Sequence, residues 1–271
     1  MGMLGQITAD RAKPVVSIVN VRTSAGPVEV ACCGDGEGDV LILVGHGLGG
    51  WTSLVQIALQ LVESRPGLRI LAWSRAGPGR EPVAAMTEPL FYEASVILPA
   101  LMDALHIPAA NFLAHADGAT VAMIFAGLFP ERTSGIVALA PYGVADSHQR
   151  AVLEALPIAE IDDQFQELIS ADYSHPTLAY QKWRQQRISE CDRNWSAMAL
   201  FAQISAPLVV VQGALDRFAN MSQVNAISDC ILGPVNWIIL RNAGYLMHIE
   251  APEQIASLVL LHLKNSVVPP V

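Results

Sequence analysis

Short apolar runs alternate with amphipathic stretches along most of this chain, the pattern of a sheet with crossover helices. Val15–Asn20 and Val28–Cys33 read as two leading strands joined by a turn at Ser24–Pro27. Val40–Val44 has no polar residue, as expected of a strand buried on both faces. Five more strands are expected at Leu68–Trp73, Asn111–His115, Gly135–Ala140, Leu208–Gln212 and Asn236–Leu240. Helical spacing marks Thr52–Glu63, Phe91–His106 and residues 118–129, 221–230 and 252–264. Between Pro141 and Ser205 the strand rhythm stops, and Tyr142, Tyr173, Tyr180, Trp183 and Trp195 stand in polar, helix-compatible sequence. The pattern predicts an α/β core of residues 1–141 and 206–271, with 142–205 inserted as a helical cap. Such a cap would lie over the C-terminal edge of the sheet, where open α/β sheets bind ligands. The tail Val267–Val271 reads as frayed.

With 271 residues, 52% of them hydrophobic, the chain can bury a large core. A net charge of −9, with only 16 scattered Lys and Arg, argues against nucleic acid and anionic membranes as partners. The expected partner is a small molecule, and the expected assembly a monomer or homodimer. Cysteines at 32, 33, 191 and 230 show no C-x-x-C spacing and read as small apolar side chains. None of the seven histidines has ligand spacing on a helix face, so neither a metal nor a cofactor is expected. The first residues lack a signal peptide's basic and apolar regions, and no run approaches a membrane span; the expectation is a soluble, cytoplasmic protein.

Four segments could carry chemistry. Gly45-His46-Gly47-Leu48-Gly49-Gly50 follows a strand as a glycine-rich turn whose N–H groups can approach a ligand oxygen. Ala114-His115-Ala116-Asp117-Gly118 reads as strand, tight turn and helix start, and Asp216 ends a later strand. The fourth segment, Asn242-Ala-Gly-Tyr-Leu-Met-His-Ile-Glu-Ala-Pro-Glu253, precedes the last helix.

These segments, with W-S-R-x-G-x-G-R at 73–80 and P-E-R at 130–132, resemble the α/β-hydrolase superfamily over nearly the whole chain. The similarity is to members whose nucleophile elbow reads G-H-S-D-G-G. The resemblance implies a mostly parallel eight-stranded sheet with helices on both faces and a helical cap. It places the nucleophilic serine at Ala116, the first elbow glycine at Ala114 and the catalytic histidine at Tyr245. His248 matches a second, usually structural histidine, and the acid stands unchanged as Asp216. The Leu48 and Asp117 N–H groups match the oxyanion donors. His46, Gly47, Trp51, Tyr142 and Trp183 are candidate substrate contacts.

Losing the serine or the histidine of such a triad costs on the order of 10⁶ in turnover. A tyrosine at its ordinary pKa is roughly 0.1% ionised at neutral pH, so Tyr245 is a poor base but a usable proton donor. Three readings follow. One is an enzyme that has left hydrolysis behind, an eliminating lyase or a cyclase that keeps the oxyanion turn, with Asp216 or His248 as base. Another is an ester or lactone hydrolase whose serine was replaced by Ala116. The third is a non-catalytic ligand sensor.

Overall fold

The computed structural model describes residues 15–34, 36, 38–75, 88–156, 163–219 and 221–265. The chain opens with a hairpin, β1 (Val16–Thr23) and β2 (Gly26–Cys33), followed by β3 (Val40–Val44). A 3₁₀ turn at Thr52–Leu54 leads into α1 (Val55–Ser64), and β4 (Arg69–Trp73) follows. Next come α2 (Pro89–Tyr92), a π-helical turn (Glu93–Ile97) and α3 (Leu98–Ala104). The centre of the fold is β5 (Ala110–His115), α4 (Asp117–Leu128) and β6 (Thr133–Leu139). Four helices then precede the next strand: α5 (Ser147–Ala155), α6 (Asp163–Asp172), α7 (Pro176–Asp192) and α8 (Met198–Phe201). The chain finishes with β7 (Leu208–Gly213), α9 (Met221–Cys230), β8 (Val235–Leu240), α10 (Met247–Glu250) and α11 (Pro252–Asn265).

One eight-stranded sheet has the order β1-β2-β4-β3-β5-β6-β7-β8. β2 pairs antiparallel with β1 and β4, and all other neighbours are parallel. Residues of β3 alternate between two cores: Ile42 and Val44 pack with Phe112 and Phe125, while Leu41 and Leu43 pack with Ile57 and Val259. Burial on both faces is why β3 lacks polar residues; each such side chain contributes roughly 1.5–3 kcal/mol. α4 is buried from Asp117 to Ala126, so its sequence carries almost no amphipathic signal.

The sequence-predicted strands are all present, with ends shifted by up to three residues. The helix expected over Phe91–His106 differs more. It is interrupted by the π-helical turn, in which the Leu98 N–H donates to the Glu93 carbonyl five residues back. Pro99 gives the physical reason: it has no N–H for the Ser95 carbonyl, and its ring crowds that oxygen. The N-terminal segment through residue 14, residues 76–80 and the tail from 266 lie outside the described residues. Among the described residues no helix is long and apolar enough to cross a membrane.

Candidate active site

The parallel register of β3 with β5 sets Val44 beside Ala114, so the glycine-rich turn and the elbow emerge together from the sheet. Ala116 holds φ +51° and ψ −116°, fixed by its N–H on Leu139 O (2.8 Å) and its carbonyl on Thr120 N–H (2.9 Å). This is the sharp strand-to-helix turn of a nucleophile elbow. A Cβ at Gly118 would overlap the carbonyl oxygens of Val44 and Gly45, so the last elbow glycine cannot be replaced without movement. Where a hydroxyl would stand, this chain presents the Ala116 methyl group.

Two cavities meet at Asp117. The smaller, about 40 Å³, is lined by Ala116, Asp117, Tyr142, Gln212, Asp216 and Tyr245 among others. The larger, about 600 Å³, lies between the β1–β2 turn, α2 with its π-helical extension and α7; Gly47, Arg75, Glu93 and Tyr173 are on its wall. Asp117, Trp183 and Arg187 line both. The buried Asp117 carboxylate accepts from Tyr142 Oη (2.9 Å) and Trp183 Nε1 (3.1 Å). A Cβ at Gly47 would overlap both that carboxylate and the indole nitrogen, which explains a glycine there. The Asp117 N–H has no hydrogen-bond partner among the described residues, whereas the Leu48 N–H is turned onto His46 Nδ1 (3.3 Å).

Asp216 is held by Gln212 Nε2 (2.9 Å) and the Phe218 N–H (2.8 Å). Burial raises its pKa, and those two donors oppose the rise. Tyr245 packs against His115, Phe165 and Phe218. Burial, then the Asp117 and Asp216 carboxylates, pushes its phenol well above the ordinary value, so it is a neutral hydrogen-bond donor. Among the described residues it makes no hydrogen bond to Asp216.

The structure corrects several expectations. His248 lines neither cavity; it is 3% exposed, and its ring stacks behind His115 at 4.9 Å. Among the described residues neither of its ring nitrogens has a partner. Burial, then the neighbouring His115, holds its pKa well below 6.5. His46 is held down to about 3 by burial, then by His248 and Arg75, and it braces the turn instead of facing a ligand. Trp51 points elsewhere, its Nε1 donating to Glu29 (2.8 Å). Leu48 packs its side chain into an apolar cluster with Ile169, Tyr173 and Tyr180.

Periodicity did not single out Arg75, Glu93, Arg187 and Glu190. Arg75 donates to both Glu93 carboxylate oxygens (2.6 and 3.0 Å). Arg187 pairs with Glu190, donates to Gln149 (2.9 Å) and lies 4.0 Å over the Tyr142 ring. Charged residues on an otherwise half-apolar wall were the available signal, but only tertiary structure brings them together. No group of three or more His, Cys, Asp or Glu among the described residues could hold a metal ion.

This sheet order and elbow define an α/β-hydrolase fold. No family model matches the chain. Part of it is 29% identical over 116 residues to 2-hydroxy-6-oxo-6-phenylhexa-2,4-dienoate hydrolase of Comamonas testosteroni, covering 42% of this chain and 40% of that protein. A second protein of that organism, 2-hydroxy-6-oxononadienedioate/2-hydroxy-6-oxononatrienedioate hydrolase, is 26% identical over 146 residues, 53% of this chain and 47% of its own. The match thus spans less than half the length of these curated relatives. Among solved structures, 2-hydroxy-6-oxo-6-phenylhexa-2,4-dienoate hydrolase of Rhodococcus sp. strain RHA1 superposes with a TM-score of 0.71 at 12% identity, covering 92% of this chain and 100% of that one. A thermophilic esterase from Thermogutta terrifontis gives 0.69 at 18% identity, covering 93% and 100%.

Proposed function

We propose that this chain is an enzyme acting on a small, largely apolar, carbonyl-containing metabolite without a covalent intermediate, by elimination or ring closure. One observation carries this reading: the unpartnered Asp117 N–H, the carboxylate Asp216 and the neutral phenol Tyr245 belong to residues that line one 40 Å³ chamber. That volume suits a single polar group of a ligand, and the 600 Å³ cavity beyond Trp183 would take the rest of the molecule.

In the elimination form, Asp216 removes the proton α to the carbonyl. The electron pair moves onto the carbonyl oxygen, where the Asp117 N–H holds the enolate. Collapse of the enolate forms the alkene and breaks the bond to the β substituent, which takes its proton from Tyr245. Asp216 then gives its proton up to solvent and the Tyr245 phenolate regains one from solvent, which closes the cycle. Burial, by raising the Asp216 pKa, makes it a stronger base than an ordinary carboxylate. The test is deuterium exchange at the α-carbon of a panel of apolar ketones in D₂O, read by mass spectrometry. Asp216→Asn is expected to slow exchange by on the order of 10²–10⁴. Exchange at equal rates in the variant, or none with any ketone, would sink the mechanism.

Hydrolysis of the kind named for the Comamonas relatives is the second reading, favoured by the elbow geometry kept at Ala116. It needs a base, yet no histidine lines the chamber. Ala116→Ser is therefore expected to stay unlabelled by a fluorophosphonate probe. Labelling would return the chain to serine hydrolysis.

A further inference from the structure

Resting on that reading of the site, we infer that the body of the substrate is uncharged, because the buried charged groups around the 600 Å³ cavity already have hydrogen-bond partners within the protein. Arg75 spends Nε and Nη2 on Glu93 (2.6 and 3.0 Å) and points Nη1 at the Gly45 carbonyl (3.4 Å). Arg187 spends Nη1 on Glu190 and Nη2 on Gln149 (2.9 Å), with Nε 4.0 Å from Asp117. Each Asp117 oxygen accepts a hydrogen bond of its own, from Tyr142 or Trp183. An anionic ligand would have to draw a guanidinium away from its carboxylate and leave that carboxylate buried and unpaired. An ammonium ligand meets carboxylate oxygens that already accept donors: Arg75 on Glu93, Arg187 and Gln186 on Glu190, and Tyr142 and Trp183 on Asp117. Either ligand carries the desolvation penalty of a buried ion without adding a new partner.

Much of the remaining wall is apolar, with Trp73, Leu90, Ile97, Tyr173, Ala179 and Trp183, surfaces that reward an apolar skeleton. The volume falls in the range that encloses a drug-sized molecule. Lys182 also lines the cavity, but it is exposed to solvent, where an ion pair gains little. Carboxylate substrates, such as the dienoates in the names of the curated relatives, meet no free buried cation on this wall.

Three pyrene probes that differ in charge test this by fluorescence titration: methyl 1-pyrenebutyrate, 1-pyrenebutyrate and 1-pyrenemethylamine. The methyl ester is expected to bind at least tenfold more tightly than either ion. Ala25→Trp and Ser189→Trp, both on the cavity wall, should each weaken the ester at least tenfold. Glu93→Gln, which frees Arg75, should strengthen 1-pyrenebutyrate at least tenfold. Equal or tighter binding of either ion to the unaltered chain overturns the inference, as does ester binding indifferent to both tryptophans. Failure here with α-exchange intact removes the substrate class alone, while lost exchange with these affinities intact removes only the mechanism.

Discussion

At Ala116 the backbone holds φ +51° for a side chain that has no nucleophile to present. A non-glycine residue in such a region costs on the order of 1–3 kcal/mol, and its neighbours over-determine it through the Leu139 and Thr120 hydrogen bonds. Ala116→Gly is accordingly expected to stabilise the fold by about 1 kcal/mol and raise the melting midpoint by about 2–4 °C. Gly118→Ala, driven into two carbonyl oxygens, should cost about 1–3 kcal/mol in the same thermal and urea measurements. The buried histidines set the acid limit. Burial keeps His46, His115 and His248 below their ordinary pKa, so below pH 6.5 (down to about 3 for His46) each takes up a proton more readily in the unfolded chain than in the folded one. Stability should therefore fall as pH drops, by up to about 1.4 kcal/mol per pH unit for each histidine. Asp216 and Glu190, with raised pKa values, work in the opposite direction as they protonate. His248→Leu removes two unpartnered nitrogens and should flatten the slope of urea midpoint against pH between 7 and 5.5 by about a quarter, since burial lowers His262 as well.

Among the elements, α7 and α6 tie the helices between β6 and β7 to the elbow and the glycine-rich turn. Trp183 reaches Asp117 across 66 residues of sequence, and Arg187 joins the same group. From α6, Asp172 accepts the Gly50 N–H of the glycine-rich turn at 2.7 Å. Arg187→Met would leave Glu190 buried without its cation, a loss of roughly 3–5 kcal/mol. Limited proteolysis should then cut faster between residues 142 and 205, and an unchanged digestion pattern would refute the docking role. The same elements show how far sequence patterning carries. Val40–Val44 was legible because burial on both faces excludes polar residues over five positions. Helix α4 was legible from its elbow motif more than from its uniformly buried faces. The broken helix around Glu93 was hidden because hydrophobic spacing does not register where a carbonyl loses its donor. The Asp117, Trp183 and Arg187 contacts were beyond reach because nothing in local periodicity pairs residues that far apart. Ala116, Asp117, Asp216 and Tyr245, singled out by motif, line one chamber, whereas His46, Trp51 and His248 line neither cavity.

At the scale of the whole molecule, the sheet edge, the hairpin turn and α7 enclose a cavity some fifteen times larger by volume than the chamber at the elbow, 600 against 40 Å³. Its shape depends on a residue that does not line it. Pro99 denies the Ser95 carbonyl its usual partner, the helix widens by one residue per turn, and Tyr92, Glu93 and Ile97 line the cavity where it widens. Pro99→Ala would let an ordinary α-helix close there, which should alter the affinity for methyl 1-pyrenebutyrate while leaving the sheet intact by circular dichroism. Ligand preference in this chain can thus be inherited or lost through a position that touches no ligand. Selection for a new substrate would therefore recover changes at 99 and 95 as readily as on the wall itself.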